Sequence, residues 1–322
     1  MEITASAPTK IIITGEHAVV HGCTGLAVPL DSRNSVTIKT ISSRKVVLPP
    51  NSKKQLRDAF NSVFSLVNPS SGVKVTLGYS GMPKGTGNSA SIGAAFALAL
   101  YHLDGRTPSK QELFDATQEF EKVFHVAPSG IDARTVLGNS SLTMKKQWKK
   151  GQVVFNFKEK KLVLPRSIVL LIVESKLKET PLTTGELVTL FSKTLVGKHP
   201  NDVNPVERKF IVDLFEPITK DIIGELKQNG NSAKLGKLFL ENHFLLQKSG
   251  VIPDSMDQTI RDLVASGCLG AKGTGACGPG GVVIALSKEK EVEKIKKKLG
   301  SKYNIKVASF ASEGPRIEKV VK

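Results

Sequence analysis

Residues 81–100 read GMPKGTGNSASIGAAFALAL, a glycine turn that runs straight into a helix of small and apolar residues. Few folds accommodate such a junction, and its flanks decide among them. The string Gly85-x-Gly87-x-x-Ala90 fits a dinucleotide-binding turn. It is not a Walker A loop, since no Gly-Lys-Ser/Thr closes it. A dinucleotide fold also needs a completed strand–helix–strand unit with an acidic residue about twenty positions on. Asp104 stands nineteen residues after Gly85, but it falls at a helix end in LDGRTP, and a second helix follows it. A further string, Gly273-x-Gly275-x-x-Gly278, leads through Gly280 and Gly281 into a strand. Both strings match in letters and miss in context, which argues against the dinucleotide fold.

A different phosphate cradle fits better. Gly85 and Gly87 let the backbone turn so that several N–H groups point one way. Asn88, Ser89 and Ala90 then open a helix, whose free N–H groups and dipole attract phosphate. The Ser89 hydroxyl is placed to reach a metal ion. A plain Asn/Ser helix cap after a flexible turn explains the same residues. Taken alone, the stretch leaves both readings open.

At 322 residues the chain suits one large domain or two ordinary ones sharing an interface. Aromatics are only 6%, so Leu, Ile, Val and Ala must fill the core. The formal net charge of +17 favours anionic partners without choosing among nucleotides, acidic metabolites, nucleic acid or a membrane surface. Cys23, Cys268 and Cys277 form no C-x-x-C pair, which argues against a zinc knuckle and suits a reducing cytoplasm. MEITASAPTK lacks an apolar signal region, and Ile92–Leu103 is too short to span a bilayer. The expectation is a soluble, cytoplasmic protein with no membrane partner.

Periodicity orders the rest. "KIIIT" (10–14) reads as a strand, 26–48 as a meander of strands, 51–67 as an amphipathic helix and 73–79 as a strand. A helix from about Ala90 to Leu103 follows the glycine turn. The next helix opens on a Ser109/Glu112 capping box. "NSSLTM" and "QVVFNF" suggest paired strands, and "SIVLLIVES" (167–175) a strand buried on both faces. Residues 180–266 are mostly helical, with Pro205, Pro217 and Pro253 near helix starts. A charged helix ending at Gly300 precedes a last strand, "NIKVASF". The break near Pro165 divides the chain into two α+β units, 1–165 and 166–322.

Five further residues draw notice. Lys10 begins the first strand, and Glu16-His17 sits in the turn after it. Asp132 lies in a Pro-Ser-Gly turn, where a helix cap is the plain alternative. Glu121 stands eleven residues earlier, beside the Leu113/Phe120/Phe124 stripe, half-buried or on the surface.

Taken together, the Lys10–Gly22 stretch, the Gly85–Ser91 loop and "AKGTGACGPGG" (271–281) resemble, in order and spacing, the superfamily of galactokinase, homoserine kinase, mevalonate kinase and phosphomevalonate kinase. "GEHAVVHG", and "PSGID" with an upstream Glu, are most similar to its mevalonate kinase branch. The chain departs from the family loop Pro-x-Gly-x-Gly-Leu-Gly-Ser-Ser-Ala: Gly81 and Pro83 replace its first Pro and Gly, Thr86 its Leu and Asn88 its first Ser, while Ser89 keeps the second. Cys277 and Pro279 replace glycines of the third motif.

The resemblance implies transfer of the ATP γ-phosphoryl group to the primary hydroxyl of mevalonate. It implies that Gly85, Thr86, Gly87, Asn88, Ser89 and Ala90 hold the phosphates, and that Ser89 and Glu121 hold Mg²⁺. Asp132 would accept the hydroxyl proton, with Lys10 beside it. Glu16 and His17 would line the substrate pocket with Thr184, for which Thr180 and Thr183 are alternatives. The implied fold is an N-terminal domain like ribosomal protein S5 domain 2 and a ferredoxin-like C-terminal domain, with the site between them. Members are often dimers, which makes a homodimer the matching expectation.

Two rival readings stand beside this one. One is a phosphomevalonate or galactose kinase of the same family. The other is a nucleic-acid-binding protein on an S5-like fold, with "KKQWKK" (145–150) and "KIKKK" (294–298) as its footprint. Scarce stacking aromatics disfavour the second, so no nucleic-acid partner is expected.

Overall fold

The computed structural model describes residues 1–125, 128–149, 152–176 and 182–322. Two long antiparallel strands, β1 (Glu2–Thr14) and β2 (Thr24–Ile41), form its spine. Only the second half of β1 shows in the sequence, because small residues mask the alternation of the first half. Ile3, Ala5 and Ala7 are nonetheless fully buried. No meander forms over 26–48. The turn-like Asp31–Asn34 run is absorbed instead as a bulge, where pairing jumps from Pro8–Arg33 to Thr9–Leu30. Pro8 tolerates this place because only β2 pairs with β1 there.

The first lobe continues through β3 (Val46–Val47), α1 (Lys54–Val67), β4 (Gly72–Gly78), α2 (Asn88–Leu103), α3 (Lys110–Lys122), α4 (Ile131–Leu137), β5 (Ser141–Lys149) and β6 (Gln152–Lys160). The Ser109/Glu112 capping box on α3 forms in full. Helix α2 starts at Asn88, two residues before the sequence estimate, and its alanines are buried. Small residues are required there, since a Cβ on Gly93 would come within 2.8 Å of the Phe120 side chain. Phe60, Phe96 and Phe120 close this core, with ring centroids 4.5 Å and 5.2 Å apart for the two pairs that Phe60 makes.

The second lobe comprises β7 (Ile168–Ser175), α5 (Thr184–Val196), α6 (Pro205–Glu225), α7 (Ser232–Lys248), α8 (Asp254–Ala265), β8 (Gly270–Thr274), β9 (Val282–Lys288), α9 (Val292–Leu299) and β10 (Tyr303–Ala308). Its antiparallel sheet has the order β10-β7-β9-β8. That is the split arrangement of a ferredoxin-like domain, as expected, with four α-helices where one would suffice among the described residues of its first crossover. Pro205 occupies the first turn of α6 and Pro253 caps α8. Pro217, read from sequence as a helix start, lies inside α6. Burial of Ile211, Phe215, Thr219 and Ile222 carries the helix past it.

The strand "NIKVASF" is not the last. A further strand, β11 (Arg316–Val321), returns to pair with β1 from Glu2 to Ser6. The first sheet therefore runs β11-β1-β2-β4-β3, with β5 also on β2 and β6 on β5. Ile11, Ile13, Leu26 and Val28 of the first lobe share one core with Leu170, Ile172, Ile284 and Leu286 of the second. We propose the lobe division at 165/166, since the chain crosses between the sheets from Lys160 to Ile168; β11 crosses back.

Candidate active site

The glycine turn is bound to β1 before any side chain acts. Lys10 N–H donates to Thr86 O at 2.9 Å. Gly87, with φ of 68°, caps α2 and lies against the Lys10 stem; a Cβ there would meet Lys10 Cγ at 2.6 Å. Only glycine meets both demands. No side chain caps α2, which leaves the amides of its first turn for a ligand.

Asn88 does not point outward from this turn. Its Nδ2 donates to Met82 O and Pro83 O, both at 3.1 Å, and its Oδ1 accepts from Asn34 Nδ2 at 3.0 Å. The fully buried Asn34 also accepts from Ser80 N–H at 2.8 Å. The two asparagines brace the loop from within. Asn34 carried no signal in sequence, since it reads as part of a turn.

Lys10 and Asp132 meet at 2.9 Å, with Lys10 6% and Asp132 28% exposed. Asp132 is the second residue of α4, behind Gly130 at φ of 83°. Arg134, on the same helix, lies between the rings of Phe114 and Phe157 and steadies it. Glu121 is 1% exposed rather than half-buried or on the surface. Burial pushes its carboxyl up to about 7, with Asp132's charge adding to the effect and Ser89 and Lys10 opposing it. Its Oε1 has no hydrogen-bond partner. An orphaned buried carboxylate oxygen beside a serine hydroxyl fits a hard divalent cation.

On the other flank, His17 takes a left-handed backbone (φ of 55°) and bonds through Nε2 to Ala276 O at 2.9 Å. A carbonyl can only accept, so Nε2 carries the hydrogen and Nδ1 is an acceptor. That Nδ1 is buried without a partner. Phe191 of α5 stacks on both His17 and His21, and His21 Nε2 bonds Ser192 Oγ at 2.8 Å. Both histidines are lowered to about 4, first by burial, with the nearby Lys146 and Arg208 contributing at His21.

Glu16 lies wholly inside, paired with Lys272 of β8. Sequence reading passed over Lys272. The available signal was a charge set among small residues in a strand, "GAKGT". Thr184 opens α5 on the face that carries Leu187 and Phe191, while Thr183 is used up in a capping box with Glu186. Thr180 falls outside the described residues. The basic runs are tied into the fold. Lys145 pairs with Glu216, Arg208 and Lys146 lie over Trp148, and Lys294 and Lys296 pair with Glu291 and Glu293. Lys150 falls outside the described residues.

A glycine turn opening a buried helix beside a lysine–carboxylate pair suits a small-molecule kinase. Residues 53–139 match the family model described as GHMP kinases N terminal domain, and residues 222–305 match GHMP kinases C terminal. Together they span more than half of the chain, which belongs to the GHMP kinase family. The chain is 26% identical to the mevalonate kinase of Aeropyrum pernix over 98% of each protein. It is 27% identical to that of Pyrococcus furiosus over 100% of each. The crystal structure of L. major mevalonate kinase in complex with R-mevalonate superposes with a TM-score of 0.76 at 23% identity, covering 96% of both chains. Among the described residues, no helix is long and apolar enough to cross a membrane.

Proposed function

We propose that this protein is a mevalonate kinase, which transfers the γ-phosphoryl group of ATP to the primary hydroxyl of mevalonate. The Lys10–Asp132 pair at the mouth of the glycine turn carries the reading. The names of the full-length relatives support the choice of alcohol.

The amides of Gly85–Ala90 hold the phosphates. Ser89 and Glu121 hold Mg²⁺, which when bound neutralises phosphate charge. Asp132 accepts the hydroxyl proton as that oxygen bonds to the γ-phosphorus, and the bond from phosphorus to the ADP oxygen breaks. Lys10 offsets the charge that develops on the oxygen. His17, neutral at pH 7, offers Nδ1 to a substrate hydroxyl. Lys146 and Arg208 receive the carboxylate; Arg208 Nε is buried without a partner. Thr184 completes the substrate side. Three buried free thiols suit our placement of the reaction in the cytoplasm.

The test is ADP release from Mg-ATP in separate reactions with mevalonate, phosphomevalonate and galactose. Release with mevalonate alone is expected. Release with another alcohol alone would reassign the substrate and keep the family.

A further inference from the structure

Three amides of the glycine motif at 271–281 are spent inside the protein. Cys277 N–H donates to Thr274 O at 3.2 Å, Gly278 N–H to Val251 O at 2.9 Å and Gly281 N–H to Gly278 O at 3.1 Å. Pro279 has no N–H to give. Positive φ at Gly275, Cys277, Gly278 and Gly280 curls the segment onto itself.

Toward the first lobe the motif presents a row of three bonds. Lys272 Nζ donates to Glu16 Oε1 at 2.5 Å, and Thr274 Oγ1 to Ile12 O at 2.6 Å. Ala276 O accepts from His17 Nε2 at 2.9 Å. Ile12, Glu16 and His17 belong to one stretch, the end of β1 and the turn after it. The side chains of Lys272 and Glu16 are both 0% exposed. Burying two ions is costly unless each answers the other, so neither residue is replaceable alone.

We infer that Lys272 is a positioning residue: paired with Glu16, it latches the second lobe's glycine motif to the turn that carries His17 and sets that turn against Lys10 and Asp132. The motif thus serves as a clasp between lobes. Its bearing on catalysis rests on the proposed substrate role of His17.

The chain's one tryptophan supplies a readout that needs no substrate. Trp148 packs over Gly22, just past the latched turn, with its ring 3.3 Å from where a Cβ on Gly22 would stand. Lys272→Met, Glu16→Gln and the double variant are compared by acrylamide quenching of Trp148 and by steady-state kinetics. In Lys272→Met, quenching is expected to rise, and KM for the alcohol to rise roughly tenfold or more while KM for ATP holds. The double variant should return most of both. Thr274→Val, which strands no charge, should shift both readouts the same way by less, and it serves if Lys272→Met does not fold. Parental quenching and parental KM in folded single variants would overturn the latch, even with a lowered melting temperature. So would a double variant no better than the singles. If the parent protein turns over no alcohol, the kinase reading fails by itself, and quenching alone decides the latch.

Discussion

Lys10 Nζ stands 2.9 Å from Asp132 Oδ1, joining the interior of β1 to the first turn of α4. The backbone of the same lysine holds the glycine turn through Thr86. One residue thereby sets the distance between the glycine turn and Asp132, the proton acceptor we propose. Asp132→Asn should keep ATP binding, measured by calorimetry, and lower kcat by about 10²–10⁴-fold. Near-parental turnover would remove Asp132 from the base role.

Glu121→Gln should raise the Mg²⁺ concentration for half-maximal rate by about 10–100-fold. The metal-free variant should melt no lower than the parent at neutral pH, because glutamine cannot carry the charge that burial disfavours. A parental Mg²⁺ titration would reject the ligand role.

The loop brace separates the two substrates. Asn88→Ser keeps a polar group but cannot span Asn34, Met82 O and Pro83 O together. It should raise KM for ATP about three- to tenfold, in line with one or two lost buried hydrogen bonds, and leave KM for mevalonate unchanged. Asn34→Ala should cost about 1–3 kcal/mol of stability by denaturant unfolding, since Ser80 N–H loses its acceptor.

Acid should destabilise the fold through His17 and His21. Each has a folded value of about 4 against an ordinary 6.5, so the folded state binds fewer protons. Their contribution is complete above 6.5 and is lost as pH falls toward 4. The groups facing them are Lys146, Arg208 and each other, with Ser192 and Ala276 O as bonding partners. Unfolding midpoints at about pH 7, 5.5 and 4.5 should trace the loss, and His21→Gln should flatten it. An unchanged slope in that variant would acquit His21.

The residues we propose for the catalytic half of the site could be singled out in the sequence because their signals are local. A glycine turn before a helix, a lysine in an apolar strand and an Asp after Pro-Ser-Gly each read within a few residues. Glu121 was placed on the right helix, but its burial depended on how that helix, α3, packs against α2. Lys272 and Asn34 were missed for another reason: their partners, Glu16 and Asn88, lie far away in the chain. The first half of β1 escaped because Ala and Thr carry little periodic contrast, and β11 because its pairing with β1 links opposite ends of the fold.

That pairing has a consequence for how the molecule comes into being. From Glu2 to Ser6, one edge of β1 has β11 as its partner. Until residues 316–321 arrive, that edge is an open template for another chain, and closing it requires a loop spanning nearly the whole sequence. The first lobe would begin folding early and be sealed late. A fragment stopping near residue 165 would then meet its own copies before it met its missing strand, and precipitate instead of standing as a domain.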